Sequence, residues 1–173
     1  MSHHLLMMLV GLALSAPASS GLATKPDCSA GAPTLPPELA GWASRELVNA
    51  STDATGAASS PLLIGHAAEA ALKPSGAVQF AATPGKAVEG ESHAGILAFT
   101  VEAAGSYRVA LGSSAWVDVV RDGSALASTT HGHGPQCSGV RKMVDFSLMP
   151  GTYLLQIAGS EKPSIAVMVA RLP

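Results

Sequence analysis

The sequence predicts an all-β protein: an antiparallel β-sandwich, jelly-roll-like, preceded by a signal peptide and a Pro-rich leader. Three observations carry that expectation. Beyond Pro61, apolar residues alternate at period two in short runs. Turn signals separate those runs at roughly regular spacing, among them Ala104-Gly105, Asp122-Gly123 and Pro150-Gly151. No helical period intervenes, so sheet must bury itself against sheet.

At the N-terminus, Leu5 to Ala16 is apolar except for Gly11 and Ser15, and it leads into the small residues Ala16-Pro17-Ala18-Ser19-Ser20. That order reads as an export signal over residues 1–23, although His3 and His4 stand where Lys or Arg is usual. Small residues allow cleavage after Ala18 or after Ala23, and either cut leaves about 150 residues, enough for one domain. The apolar run is shorter than the roughly 18 residues of a spanning helix. No transmembrane segment is therefore expected after cleavage, and the mature chain is expected to be periplasmic or secreted.

Residues 24–60 read as a Pro/Ala-rich leader and linker. Pro26, Pro33, Pro36 and Pro37 resist helix and central strand alike. Leu39, Trp42 and Ala43 have helical spacing after Pro37, enough for a short helical turn that Gly41 weakens. Ser51 to Pro61 is small and polar, a linker or exposed loop.

The sandwich is expected over residues 61–173, with strands at 67–73, 77–82, 95–101, 107–112, 115–121, 125–131, 142–148, 152–158 and 164–171. Leu97, Phe99 and Val101 share a face, as do Val144, Phe146 and Leu148, then Tyr153, Leu155 and Ile157, then Ile165, Val167 and Val169. Four such strands imply a sheet with one wet face. Asp122-Gly123 is the strongest hairpin signal, because both central residues of a type I′ turn need positive φ.

Ten basic residues nearly balance twelve acidic ones, and Arg141-Lys142 is the only adjacent basic pair. That balance gives no phosphate-tracking surface, so nucleic acid is not an expected partner. Both cysteines, Cys28 and Cys137, lie beyond the signal, and an oxidising compartment favours a disulfide between them. Such a bridge would pin the leader to the domain.

Chemistry concentrates in Thr130-His131-Gly132-His133-Gly134-Pro135-Gln136-Cys137-Ser138-Gly139. Two histidines at i and i+2 on a strand point the same way, so His131 and His133 are candidate ligands of one metal, with zinc, copper or iron as the candidate ions. Gly132 and Gly134 would leave the backbone unobstructed. The alternative is a solvated Gly-rich loop whose cysteine is in the disulfide, with no cofactor. Register on the Asp122-Gly123 turn would pair Asp118 with Ala127, Trp116 with Thr129 and Ser114 with His131, putting Trp116, Asp118 and His131 on one face. Trp116, Asp118 and His93 are thus candidate ligand-binding residues, and His93 or His66 would have to supply any further imidazole. Ser138 lacks an identifiable base and acid, and no G-x-S-x-G, H-E-x-x-H, Walker or C-x-x-C motif occurs.

Residues 95–159 resemble the bacterial pre-peptidase C-terminal type of β-sandwich in Ala104-Gly105-Ser106-Tyr107, Trp116-Val117-Asp118-Val119 and Leu148-Met149-Pro150-Gly151-Thr152-Tyr153-Leu154-Leu155. The resemblance implies an exported accessory or binding module. Leu35 to Trp42 and His131 through Lys142 are also similar to a group of small exported bacterial proteins labelled homogentisate 1,2-dioxygenase. By that resemblance the location is a Gram-negative periplasm, and the label implies a mononuclear iron enzyme. The residues depart from it: Cys137 stands where a cupin-type dioxygenase has its glutamate, and a second histidine motif is missing. The sequence therefore points to an exported, non-catalytic binding or accessory protein of the cell envelope, its ligand or envelope partner unknown. The alternative is a metal-binding protein or homogentisate 1,2-dioxygenase-type oxygenase built on His131 and His133.

Overall fold

The computed structural model describes residues 27–29, 31, 33–87 and 90–173. The expected signal at 1–23 lies outside the described residues. The strands are β1 (Arg45–Asn49), β2 (Pro61–Leu62), β3 (Ala67–Ala71), β4 (Lys73–Pro74), β5 (His93–Val101), β6 (Gly105–Leu111), β7 (Trp116–Arg121), β8 (Ser124–Ala125), β9 (Thr130–Gly132), β10 (Lys142–Leu148), β11 (Gly151–Ser160) and β12 (Ser164–Arg171). One sheet runs β1-β3-β12-β6-β10-β9; the other runs β2-β5-β11-β7-β8, with β4 also on β5.

The order β3-β12-β6-β10 facing β5-β11-β7-β8 is that of an eight-stranded jelly roll, with the chain repeatedly crossing between sheets. All four apolar triplets read from the sequence lie in one core between the sheets, joined by Tyr107, Val109 and Leu111 of β6 and Val117 and Val119 of β7. Strands β6 and β11 open alike, with Gly-Ser-Tyr and Gly-Thr-Tyr. Each tyrosine hydroxyl donates to the carbonyl four residues back, Tyr107 to Ala103 and Tyr153 to Met149, both at 2.7 Å. The bond ties the strand's first core residue to the turn that feeds it.

Several expectations are corrected. Residues 37–60 join the sandwich. Pro37–Ala43 forms a 3-10 helix as its spacing suggested, but β1 follows it and pairs parallel with β3. Strand β2 also pairs parallel, with β5, so the sandwich is not wholly antiparallel.

The outer face of the first sheet is not wet either. Leu39 and Trp42 of the 3-10 helix are buried there against Ala67, Ala110, Ala166, Met168 and Ala170. Alanines on that face leave room for a second layer, which polarity alone does not reveal. Gly41 belongs to the same contact, because a Cβ there would lie 2.3 Å from the Gly65 carbonyl oxygen.

Arg108 locks the layer in place. It bonds both Asp145 oxygens, at 2.8 and 2.9 Å, and Glu38 of the 3-10 helix at 2.8 Å. The Asp145 carboxylate raises the already high pKa of Arg108.

The strand expected at 77–82 is absent. That segment instead crosses the outer face of the second sheet, held by the fully buried Gln156, whose amide accepts from Ala82 N at 2.9 Å and donates to Ala82 O at 3.0 Å. A side-chain amide replaces the backbone ladder that a strand would have needed.

Candidate functional site

The Asp122-Gly123 turn forms as read, with both residues at positive φ and Arg121 paired with Ser124. The ladder then ends. Leu126 N still donates to Val119 O, but Thr129 N donates to Asp145 O of the opposite sheet, and β9 pairs with β10. The expected continuous strand at 125–131 is therefore two short strands in different sheets, and the extended pairing of Ser114, Trp116 and Asp118 with residues 127–131 is not made. Ala125 and Ala127 offer little side chain to hold the chain on the second sheet. His131 lies opposite Val144, which turns it toward the inner side at the sandwich edge.

Trp116, His131 and His133 nevertheless meet, across the two sheets rather than along one. They line an open cleft of about 650 Å³ at the end of the sandwich, together with Lys86, Ser114, Arg141, Lys142 and Glu161. That size lies within the range of small-molecule sites. Asp118 sits behind the wall, its carboxylate accepting from Trp116 Nε1 at 2.9 Å and Gly85 N at 3.3 Å. His93 is not among the lining residues; it begins β5 opposite Ser160. His66 lines a different groove, along β1 and β2.

The disulfide between Cys28 and Cys137 is formed, with a Cα–Cα distance of 5.5 Å across a sequence separation of 109. It ties the leader to the loop that follows His133. Within that loop Ser138 Oγ donates to Pro135 O at 2.6 Å and accepts from Val140 N at 3.1 Å, so the hydroxyl braces a turn. Gly134 packs against Val140, where any Cβ would come within 2.4 Å of the Val140 carbonyl oxygen. Gly132 has open space around it, so only Gly134 is required by close approach.

Lysine and arginine give the cleft its character, a role not singled out in the sequence. Lys142 shares the inward face of β10 with Val144 and Phe146. At the sandwich end its Nζ donates to Ala115 O at 3.0 Å and lies 5.0 Å from the Trp116 ring. Burial lowers the Lys142 pKa; Asp118 pulls it back up, and Lys86 lowers it further. Arg141 Nη1 lies 3.1 Å from His133 Nδ1, which is also 3.1 Å from Arg141 O. The ring nitrogen accepts from the guanidinium in one tautomer and donates to the carbonyl in the other.

These contacts fit a resident metal poorly. The Cys137 thiol is taken by the disulfide, a guanidinium faces His133, and no group of three His, Cys, Asp or Glu that could hold a metal occurs among the described residues. The two-histidine, one-carboxylate set of an iron oxygenase is not assembled among the described residues. Fold and site together define a jelly-roll sandwich protein with a basic, histidine-bearing cleft at one end. The chain matches no protein-family model and no curated protein. No helix among the described residues is long and apolar enough to cross a membrane.

Proposed function

We propose that this is an exported binding or accessory protein of the cell envelope, whose ligand site is the cleft lined by Trp116, His131, His133, Arg141 and Lys142. The carrying observation is the convergence of these side chains from both sheets and the loop between β9 and β10 into one concave surface. Cys137 and Ser138 of the histidine loop are engaged in the disulfide and the turn. The export signal read at residues 1–23 and the disulfide both suit an oxidising compartment, periplasmic or extracellular. The resemblance to pre-peptidase C-terminal-type modules supports the same reading.

The test is an NMR titration of the mature, disulfide-bonded protein with soluble envelope extract. Signals of the Trp116 indole and of the His131 and His133 imidazoles should shift. Shifts confined to other surfaces would move the site, and none at all would remove it.

The second reading, a metal-binding or dioxygenase-type protein, draws on one observation, the presence of His131 and His133 in the same cleft. Metal analysis of protein purified without a histidine tag decides it. Stoichiometric zinc, copper or iron that disappears in a His131→Ala plus His133→Ala double variant would favour it over the first.

A further inference from the structure

The cleft concentrates positive charge in a chain whose formal net charge is −2. Lys86, Arg141 and Lys142 line it against one lining carboxylate, Glu161, with Asp118 behind the wall attracting Lys142. None of the three makes an ion pair among the described residues. The four ion pairs there are Arg45–Glu69, Arg108–Glu38, Arg108–Asp145 and Arg121–Asp122. Cations gathered in a concave, partly desolvated site repel one another, and the field they focus favours an incoming anion.

Trp116, the aromatic residue of the lining, is poorly placed to stack on a neutral ligand. Its N–H is held by Asp118, Lys142 lies over its ring, and Gly85 packs so closely that a Cβ there would stand 2.8 Å from the ring. The ring thus serves as a platform for the lysine. Arg141 is anchored beside His133 yet exposed, leaving its remaining N–H groups for a ligand. A guanidinium fork in the same cleft as two ammonium groups matches a planar or tetrahedral oxyanion, which it can grip through two oxygens.

Resting on the reading of this cleft as a ligand site, we propose that it takes the oxyanion group of a small acidic ligand. Arg141 is the directional partner and Lys86 and Lys142 are the charge partners. The shared chemistry is a carboxylate, sulfate or phosphate; its source is an acidic sugar or a free inorganic anion.

The experiment titrates the mature, disulfide-bonded protein with glucuronate, inorganic sulfate, inorganic phosphate and, as the neutral counterpart, glucose. The Trp116, His131 and His133 NMR signals are followed. At least one oxyanion should give saturable shifts while glucose gives none, and Arg141→Ala should weaken that binding about tenfold. Lys86→Ala should weaken it in the same direction, while Lys73→Ala, away from the cleft, should not. Tighter binding of glucuronate than of phosphate or sulfate would assign an acidic sugar, and the reverse a free anion; both support the proposal.

Glucose acting as strongly as glucuronate, or full binding in Arg141→Ala, would overturn it. So would envelope extract shifting the cleft signals when no oxyanion does, and that result would leave the ligand-site reading standing. If neither the extract nor any probe moves these signals, both readings fall.

Discussion

Arg108 and Lys142 are both partly buried cations, but they differ in what surrounds them. Arg108 has two carboxylates within 2.9 Å, and its side chain is 18% exposed. Arg108→Ala strands Asp145 and Glu38, so chemical denaturation should show a loss of about 3–5 kcal/mol. Replacing all three by apolar residues should recover most of it. Lys142 makes no ion pair among the described residues, and burial, only partly offset by Asp118, depresses its pKa below 10.5. Its folded form therefore holds the proton less tightly than its unfolded form, so the charge is a cost at neutral pH. Stability should rise as pH climbs from the folded pKa toward 10.5, where the unfolded chain still binds the proton. Denaturation midpoints measured against pH should show that rise in the wild type and lose it in Lys142→Met. The sequence drew attention to His131, His133 and Trp116 because two imidazoles at i and i+2 and a strand tryptophan are local patterns. Lys86 carries no such pattern and reaches the cleft only through folding.

Short elements brace this sandwich. The 3-10 helix Pro37–Ala43 depends on Gly41, whose missing Cβ lets it touch Gly65. Gly41→Ala forces backbone apart and should cost about 1–3 kcal/mol, read from a thermal melt. The Cys28–Cys137 bridge closes a loop with a sequence separation of 109. On the chain-entropy model its loss costs about 4–5 kcal/mol. Cys28→Ser should be destabilised accordingly, and the signals of His133 and Arg141 should broaden because the loop between them loses its tether. Strands with alternating large residues were legible in the sequence because burial of one face imposes period two. Strand β1 was not: Arg45 to Asn49 is largely exposed at a sheet edge, so no burial pattern marks it. The pair β8 and β9 reads as one strand in the sequence because a crossover between sheets leaves no local trace.

For the molecule as a whole, three apolar clusters matter: one between the sheets, one outside the first sheet, and a smaller one of Ala57, Ile96 and Ala98 on the second sheet. Trp42, 2% exposed, is the largest side chain of the outer layer. Trp42→Ala should lower unfolding free energy by about 3–5 kcal/mol, with native β-sheet circular dichroism retained below the transition. That result would show that the 3-10 helix contributes to the stability of the folding unit. The export reading also belongs to this scale: the intact mass of protein recovered from the periplasm or medium should place its N-terminus at Ser19 or Thr24.

The sequence by itself determined the all-β sandwich, its inner apolar faces, the Asp122-Gly123 turn and the cysteine pairing. Each rests on a local period, a turn chemistry or a count of two thiols. Tertiary structure alone decided which strands share a sheet, that the leader covers one face, and that Lys86, Arg141 and Lys142 converge on Trp116, His131 and His133. Those facts depend on which sheet the chain joins after each crossover, and a crossover is set by the packing of distant strands.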